Sequence, residues 1–395
     1  MIARATQLSC GPLVVISGGG TGGHLFPAIA AVAELRRFIP EARFLYLGTR
    51  RAIDGHILGQ LEAEVVQQPL SPPTGSPLRW PEFLLELRRA KQWCRKRFAW
   101  DRPALVLGTG GYSSLPGVLE ARRAGVPTVL LNPDAVPGKA NRYLARKADA
   151  VFSQFERTRE HFPRTVRVLA LGCPVRAGFV AASREDGIRR FELNTNKLTL
   201  LVTGASQGAK TINDAVIAQT DLLRSRPEWQ VLHLTGESQR EEVERAYQRQ
   251  GVAARVLAFT HHMAEAMAAA DVVISRAGAS TLAELTAVGR ASILMPYPHH
   301  RDQHQLANAV CLAEQDAAQI VRDEMEVSRN APALRGALSP LLDDAHRRNE
   351  MASAARSMGR VESAVNIART LLEIMEKNDR GEVRDSMEAG CGRAR

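Results

Sequence analysis

The sequence predicts an α/β protein of two domains, each built on a parallel sheet. Short apolar runs alternate with helical patterns along the chain, which reads as repeated strand–helix–strand units. The alternation pauses at Gly172-Cys-Pro-Val-Arg176 and then restarts. Each series opens with a strand, a glycine-rich turn and a helix. A chain of 395 residues also exceeds one ordinary core.

In the first half, strands are expected at 13–17, 43–47, 104–108, 128–131, 150–153 and 166–169, with helices at 26–38 and 112–124. In the second, strands are expected at 198–203, 230–234, 272–275 and 291–295, with a helix at 208–223. The last helical segment is 363–376; the charged, glycine-containing stretch 377–395 reads as disordered.

Composition narrows the class. Hydrophobic residues make up 45% and charged residues 24%, as in a globular protein. The five cysteines are scattered without a CxxC pair, which argues against a disulfide framework or zinc site and suits a reducing cytoplasm. No apolar run approaches the length of a membrane span, and the N-terminus lacks a signal-peptide plan. The net charge of +10 favours anionic partners. No helix-turn-helix, zinc finger or aromatic RNA-stacking signature accompanies it, so nucleic acid is not the expected partner.

The first turn, Ser17-Gly-Gly-Gly-Thr-Gly-Gly-His24, has glycine at five of eight positions. Glycine lets a ligand approach the backbone, and the following helix N-terminus favours an anion. Gly18, Gly20 and Gly23 formally match a dinucleotide fingerprint, but the second strand ends Tyr46-Leu-Gly-Thr49 with no ribose-binding acid, so NAD and FAD are not expected. His24 adds a proton-transfer group.

The second turn, Gly204-Ala-Ser-Gln-Gly208, has Ala209 where a P-loop needs glycine before lysine. Ser206 and adjacent N–H groups remain suited to a diphosphate; a plain strand-to-helix turn is the competing reading. In Ser275-Arg-Ala-Gly-Ala-Ser-Thr-Leu-Ala-Glu284, Ser280 and Thr281 read either as helix caps or as ligand contacts. Glu284 reads either as a first-turn carboxylate favoured by the helix dipole or as an acceptor from two ribose hydroxyls. The stretch Pro296-Tyr-Pro-His-His-Arg-Asp-Gln-His-Gln305 follows an expected strand, where ligand loops stand. Its histidines lack matched carboxylates or cysteines, so no metal is expected.

Residues 78–98 read as an amphipathic helix, with Leu78 at its start and Trp80, Phe83, Leu84 and Leu87 sharing a face. Residues 79–102 carry eight basic residues against three acidic ones. Arg95, Lys96 and Arg97, with that apolar face, suit an anionic membrane surface; an ordinary helix covering the sheet fits the pattern equally.

Taken together, Gly19-Gly-Thr-Gly-Gly-His24, Gly110-Gly-Tyr112, Gly204-Ala-Ser-Gln-Gly-Ala209, Ser275-Arg-Ala-Gly278 with Glu284, and His304-Gln305 with Asn308 resemble the MurG family over about 13–375. The resemblance implies a GT-B fold: two Rossmann-like domains with parallel sheets facing across a cleft. The domains would be 1–175, facing acceptor and membrane, and 176–357, binding UDP-GlcNAc. A helix at 358–376 would pack back on the first, followed by the tail 377–395.

The implied reaction is inverting transfer of GlcNAc from UDP-GlcNAc to undecaprenyl-pyrophosphoryl-MurNAc-pentapeptide (lipid I), giving lipid II. It would occur at the cytoplasmic face of the cell membrane without a cofactor, with contacts to other cell-wall enzymes. By position, Thr21, Gly22, Gly23, Arg176, Ser206, Thr260, Ala279, Ser280, Thr281, Leu282, Ala283, Glu284, His304 and Gln305 match donor-site residues. Glu284 would hold the ribose, Ser206 the phosphates, backbone near Thr260 the uracil, and His304 and Gln305 the sugar. His24, Tyr112 and Asn213 resemble acceptor-side residues.

One departure bears on mechanism. Many relatives carry Glu-Gln-Asn where this chain has Asn132-Pro-Asp134, so that Asp134 stands where the resemblance implies an Asn near the donor sugar. The general base is then His24, Asp134, or a water held by either, with His24 favoured because neutral imidazole is available near neutral pH. No DxD metal motif stands in a suitable loop, so N–H groups and a helix dipole are expected to meet the charge of the leaving diphosphate. A GT-B transferase using another UDP-sugar or lipid, and an inactive UDP-binding scaffold, are the alternatives.

Overall fold

The computed structural model describes residues 11–19, 22–50, 63–72, 79–204, 208–299 and 303–391, with the side chains of Gly22, His24 and 379–391 outside the description. The chain forms two compact units. The first comprises Met1–Pro133, Pro137–Pro174 and Glu362–Arg395; the second comprises Asp134–Val136 and Val175–Val361.

In the first unit the strands are β1 (Leu13–Gly18), β2 (Arg43–Gly48), β3 (Glu64–Gln67), β4 (Leu105–Gly110), β5 (Thr128–Asn132), β6 (Ala150–Ser153) and β7 (Val168–Ala170). They make one sheet in the order β3-β2-β1-β4-β5-β6-β7. The second unit contains β8 (Leu198–Thr203), β9 (Trp229–Leu234), β10 (Ala254–Leu257), β11 (Val272–Ser275), β12 (Ala291–Leu294) and β13 (Gln319–Ile320), ordered β10-β9-β8-β11-β12-β13. All the strand pairs are parallel. Each order runs outward from its first strand in both directions, the doubly wound arrangement, with a switch point beside β1 in one sheet and β8 in the other.

The central strands are apolar on both faces because helices cover both faces of a parallel sheet. In the first unit, Val14, Ile16, Leu105 and Leu107 pack with Leu25 and Leu35 of the helix Gly22–Phe38 and with Ile367, Ala368, Leu371 and Met375 of the C-terminal helix. The opposite face buries Val15, Leu45, Val106 and Leu130 beneath Cys94, Phe98, Val118 and Ala121. The second core joins β8, β9, β11 and β12 to Ile212, Tyr247, Leu334, Leu338 and Leu341.

Several expectations need correction. The edge strands β3, β10 and β13 lie outside the expected set; each is short and at least partly solvent-facing, so none carries a continuous apolar run. The helix expected at 208–223 is two, Lys210–Ile217 and Thr220–Arg224. The C-terminal helix spans Ser363–Cys391 rather than stopping at 376. Residues 377–391 contain no proline and several helix-favouring Glu, Arg and Met residues.

The basic helix Trp80–Trp100 turns part of the face expected outside, Phe83, Leu87 and Arg97, inward. Phe83, Ala90, Cys94 and Phe98 are buried, and Phe83 packs with Leu70 and the half-buried Leu87 and Tyr112. Arg97 bonds Asp101 and Glu64 at 3.0 Å each, and its side chain is only 11% exposed. Arg95 and Lys91 pair with the buried Glu120. Heptad-like spacing finds an apolar stripe but not which surface it meets. Trp80, Leu84, Leu85, Trp93 and Trp100 are exposed, as are Arg88, Arg89 and Lys96. Leu78 lies outside the described residues.

Leu371, fully buried against the first sheet, is expected to matter far more than the exposed Leu84. Leu371→Ala should cost about 2–5 kcal/mol, and Leu84→Ala at most ~0.5 kcal/mol, as read from urea unfolding of the full chain. Equal effects would contradict this packing of the C-terminal helix.

Candidate functional site

In an open parallel sheet, ligand groups gather where strand order reverses, at the carboxyl ends. In the second unit that place is flanked by Gly204, after β8, and by Arg276-Ala-Gly278, after β11. Gly208 has φ +74°, and a Cβ there would lie 2.0 Å from the Thr235 carbonyl oxygen. Only glycine fits this turn as it is built. Ser206 lies outside the described residues.

The helix Ala279–Val288 has Gly278 as its N-cap. Ser280 and Thr281 are therefore first-turn residues, half-buried, and not caps. Leu282 and Ala283 are buried, and Leu282 is fully enclosed. Glu284 belongs to the second turn, so the dipole reading of its carboxylate does not hold.

Arg176 Nη2 lies 3.7 Å from Glu284 Oε1, and the Arg176 guanidinium stands 5.1 Å from the Phe179 ring centroid. Burial pushes the Glu284 carboxyl up to about 7, with Arg176 pulling the other way. A carboxylate this enclosed needs donors. One cation at 3.7 Å, itself partly exposed, is a loose match.

Asp134–Val136 belong by their contacts to the second unit. Asn308 grips this segment: its Oδ1 accepts from Ala135 N at 2.8 Å, and its Nδ2 donates to Asp134 Oδ1 at 2.8 Å and to Ala277 O at 3.2 Å. The Asp134 carboxylate is thus a hydrogen-bonded anchor. Gln305 Oε1 accepts from Tyr297 N at 2.9 Å, which orients its amide. His304 begins the helix His304–Ala313 and is half-buried. Thr260 uses its hydroxyl locally, accepting from His262 N at 3.0 Å.

The sequence left one group unassigned. Arg276 and Asp323 form a buried ion pair at 2.8 Å beneath these loops. Arg276 also donates to Met295 O at 3.0 Å and Thr211 Oγ1 at 2.8 Å. Burial works to raise the Asp323 carboxyl, but hydrogen bonds from Thr211, Arg276, Asn330 and Met325 outweigh it and hold it below its usual value. The pair ties the ends of β11 and β12 to the helix Lys210–Ile217. Arg276 stood within the expected motif, but nothing near position 323 marked its partner.

In the first unit, β1 and β4 slip register at Ser17/Gly18, where Gly18 pairs with Gly110. Gly18 has φ +149°, and a Cβ there would meet Thr109 Oγ1 at 2.0 Å. Gly23 is exposed at the start of the following helix. Tyr112 is half-buried, edge-on to Phe83 at 6.5 Å. Asn132 is buried and accepts from Asn141 Nδ2 at 2.9 Å. Thr21 and the side chains of Gly22 and His24 lie outside the described residues. Asn213, expected on the acceptor side, is fully buried in the second unit. Among the described residues no group of three His, Cys, Asp or Glu side chains is placed to hold a metal.

Two family models match the chain: the glycosyltransferase family 28 N-terminal domain over residues 14–153 and the family 28 C-terminal domain over 199–370. A Bacillus licheniformis protein is 34% identical over 367 residues, spanning 91% of this chain and 98% of its own. One from Thermodesulfovibrio yellowstonii is 35% identical, with the same coverage. Both are named UDP-N-acetylglucosamine–N-acetylmuramyl-(pentapeptide) pyrophosphoryl-undecaprenol N-acetylglucosamine transferase. The crystal structure of Acinetobacter baumannii MurG superposes with a TM-score of 0.74 at 26% identity, covering 92% of this chain and 99% of that one.

Proposed function

The chain belongs to the MurG family of glycosyltransferases, and from that membership we propose how its residues divide the reaction. The enzyme transfers N-acetylglucosamine from UDP-N-acetylglucosamine to undecaprenyl-pyrophosphoryl-N-acetylmuramyl-pentapeptide. The observation that carries the donor assignment is the largely enclosed Glu284 carboxylate, raised to about 7 by burial, with Arg176 3.7 Å away. Two vicinal ribose hydroxyls supply the hydrogen bonds that burial demands.

Backbone N–H groups of the turn after β8 take the diphosphate, together with Ser206. The N-terminus of Ala279–Val288 adds positive potential at the carboxyl end of β11. These groups stabilise the negative charge that grows on UDP as the sugar departs. The backbone near Thr260 reads uracil, a role its locally engaged hydroxyl leaves to main-chain groups. Gln305, oriented by Tyr297 N, and His304 face the donor sugar. Attack by the acceptor hydroxyl from the opposite side inverts the anomeric carbon.

The base is His24. Asp134 is held by Asn308 and positions the segment that follows β5, and Asn132 is spent on Asn141. Neutral imidazole accepts the acceptor hydroxyl's proton as the new bond forms. The first unit, with His24 and Tyr112, serves the acceptor.

The membrane surface is the outer face of Trp80–Trp100: Leu84, Leu85, Trp93 and Trp100 interleaved with Arg88, Arg89 and Lys96. Exposed tryptophans beside cations suit an interfacial helix. No helix among the described residues is long and apolar enough to cross a membrane, and the proposal is peripheral attachment at the cytoplasmic face.

Three measurements check this. Incubated with UDP-N-acetylglucosamine and a lipid I analogue, the full chain should form the disaccharide lipid. His24→Ala should lower kcat by about 10²–10⁴-fold. Hydrolysis of the donor without transfer, or preference for another sugar, would overturn the reading. Neutralising Arg88, Arg89 and Lys96 to Gln should weaken sedimentation with anionic vesicles about a hundredfold, at roughly 1 kcal/mol per charge. Unaltered sedimentation would contradict this face.

A further inference from the structure

Asn213 is fully enclosed, yet every polar atom of its side chain is used. Its Nδ2 donates to Thr235 O at 2.9 Å and to Gln239 Oε1 at 2.7 Å. With both donors spent, Oδ1 is left as an acceptor. The His233 Nε2 at 3.1 Å from it must then carry the ring proton. His233 Nδ1 in turn accepts from the Tyr247 hydroxyl at 2.9 Å. Donor direction is therefore fixed from Tyr247 through His233 and Asn213 to the Thr235 carbonyl. Burial drives the imidazole down to about 3, so the ring stays neutral as this sequence of donors requires.

The oxygen that ends the chain of bonds is the one against which Gly208 packs. Thr235 N and Gly236 N donate to Leu257 O at 3.0 Å and Ala258 O at 2.9 Å. The dipeptide 235–236 thus meets both Gly208, at the end of the turn after β8, and the segment leading to Thr260. In the proposed donor site, these two segments take the diphosphate and the base of one nucleotide.

We infer that Tyr247, His233 and Asn213 form a positioning relay that fixes the spacing between the phosphate turn and the base-reading segment. The inference rests on the proposed donor site and assigns Asn213 to the donor side, acting through Thr235, instead of to the acceptor side. None of the three side chains touches substrate. They set the geometry in which backbone groups do so.

Tyr247→Phe removes one hydroxyl and leaves the ring in the core. It should raise the Kd for UDP and the KM for UDP-N-acetylglucosamine about tenfold. At saturating donor, kcat should stay within about twofold. Amide exchange at Thr235 and Gly236 should quicken. Val243→Ala, a buried apolar change on the same helix, should lower the melting temperature without moving UDP affinity. The relay is overturned if Tyr247→Phe leaves UDP affinity or the Thr235 and Gly236 exchange unchanged, or if both variants weaken UDP equally. If the unaltered chain binds no UDP, the donor-site reading falls instead, and the exchange rates alone still decide whether the relay braces the turn.

Discussion

The Glu284 carboxylate is largely enclosed, with the Arg176 cation 3.7 Å away among the described residues, and much of the second unit serves to keep it there. A carboxyl group so enclosed resists ionising unless donors arrive from outside the protein. The helix that carries it starts after Gly278, at the end of β11, so its place is set by the strand order of the sheet. The Arg276–Asp323 pair fixes that strand end to β12 and to the helix after the second turn. Removing one member would strand a buried charge, so the pair confers geometry more surely than net stability.

Three polar groups with no direct claim on substrate surround the proposed donor site. Asn308 anchors Asp134 and Ala135, Arg276 binds Asp323, and Asn213 connects His233 to Thr235. Each ends on backbone at or beside a turn assigned to the ligand. This fits a site whose contacts are largely main-chain N–H groups: such groups carry no side chain to adjust, so the backbone itself must be held. Glycine at 208 is the counterpart, since the close approach to Thr235 leaves no room for a Cβ.

Much of this was legible in the sequence. Buried central strands announce themselves as apolar runs, and β6, β8 and β11 fall at their expected limits. Glu284 and the turns were visible because their residue types and order are unusual. Edge strands were not, because a strand that is short and half in water has no apolar run. Phe83 and Arg97 misled for a related reason: amphipathic spacing does not distinguish a face against protein from one against lipid. Asp323, His233 and Tyr247 were invisible, since each gains its meaning from partners 14 to 47 residues away.

The central claim is that Glu284 binds as a carboxylate the hydroxyls of a nucleotide. Burial raises its carboxyl to about 7. Donation from a ribose favours the ionised form, so binding must expel a proton wherever the free group holds one. UDP affinity should therefore be greatest above pH 7 and weaken by up to about tenfold per unit as pH falls below it. UDP titrates in the same range, which makes Glu284→Gln the reference. Calorimetry of both proteins from pH 6 to 8.5 should show the unaltered chain losing affinity more steeply toward low pH, with the variant weaker at high pH. Parallel pH profiles and equal affinity at pH 8.5 would contradict the account.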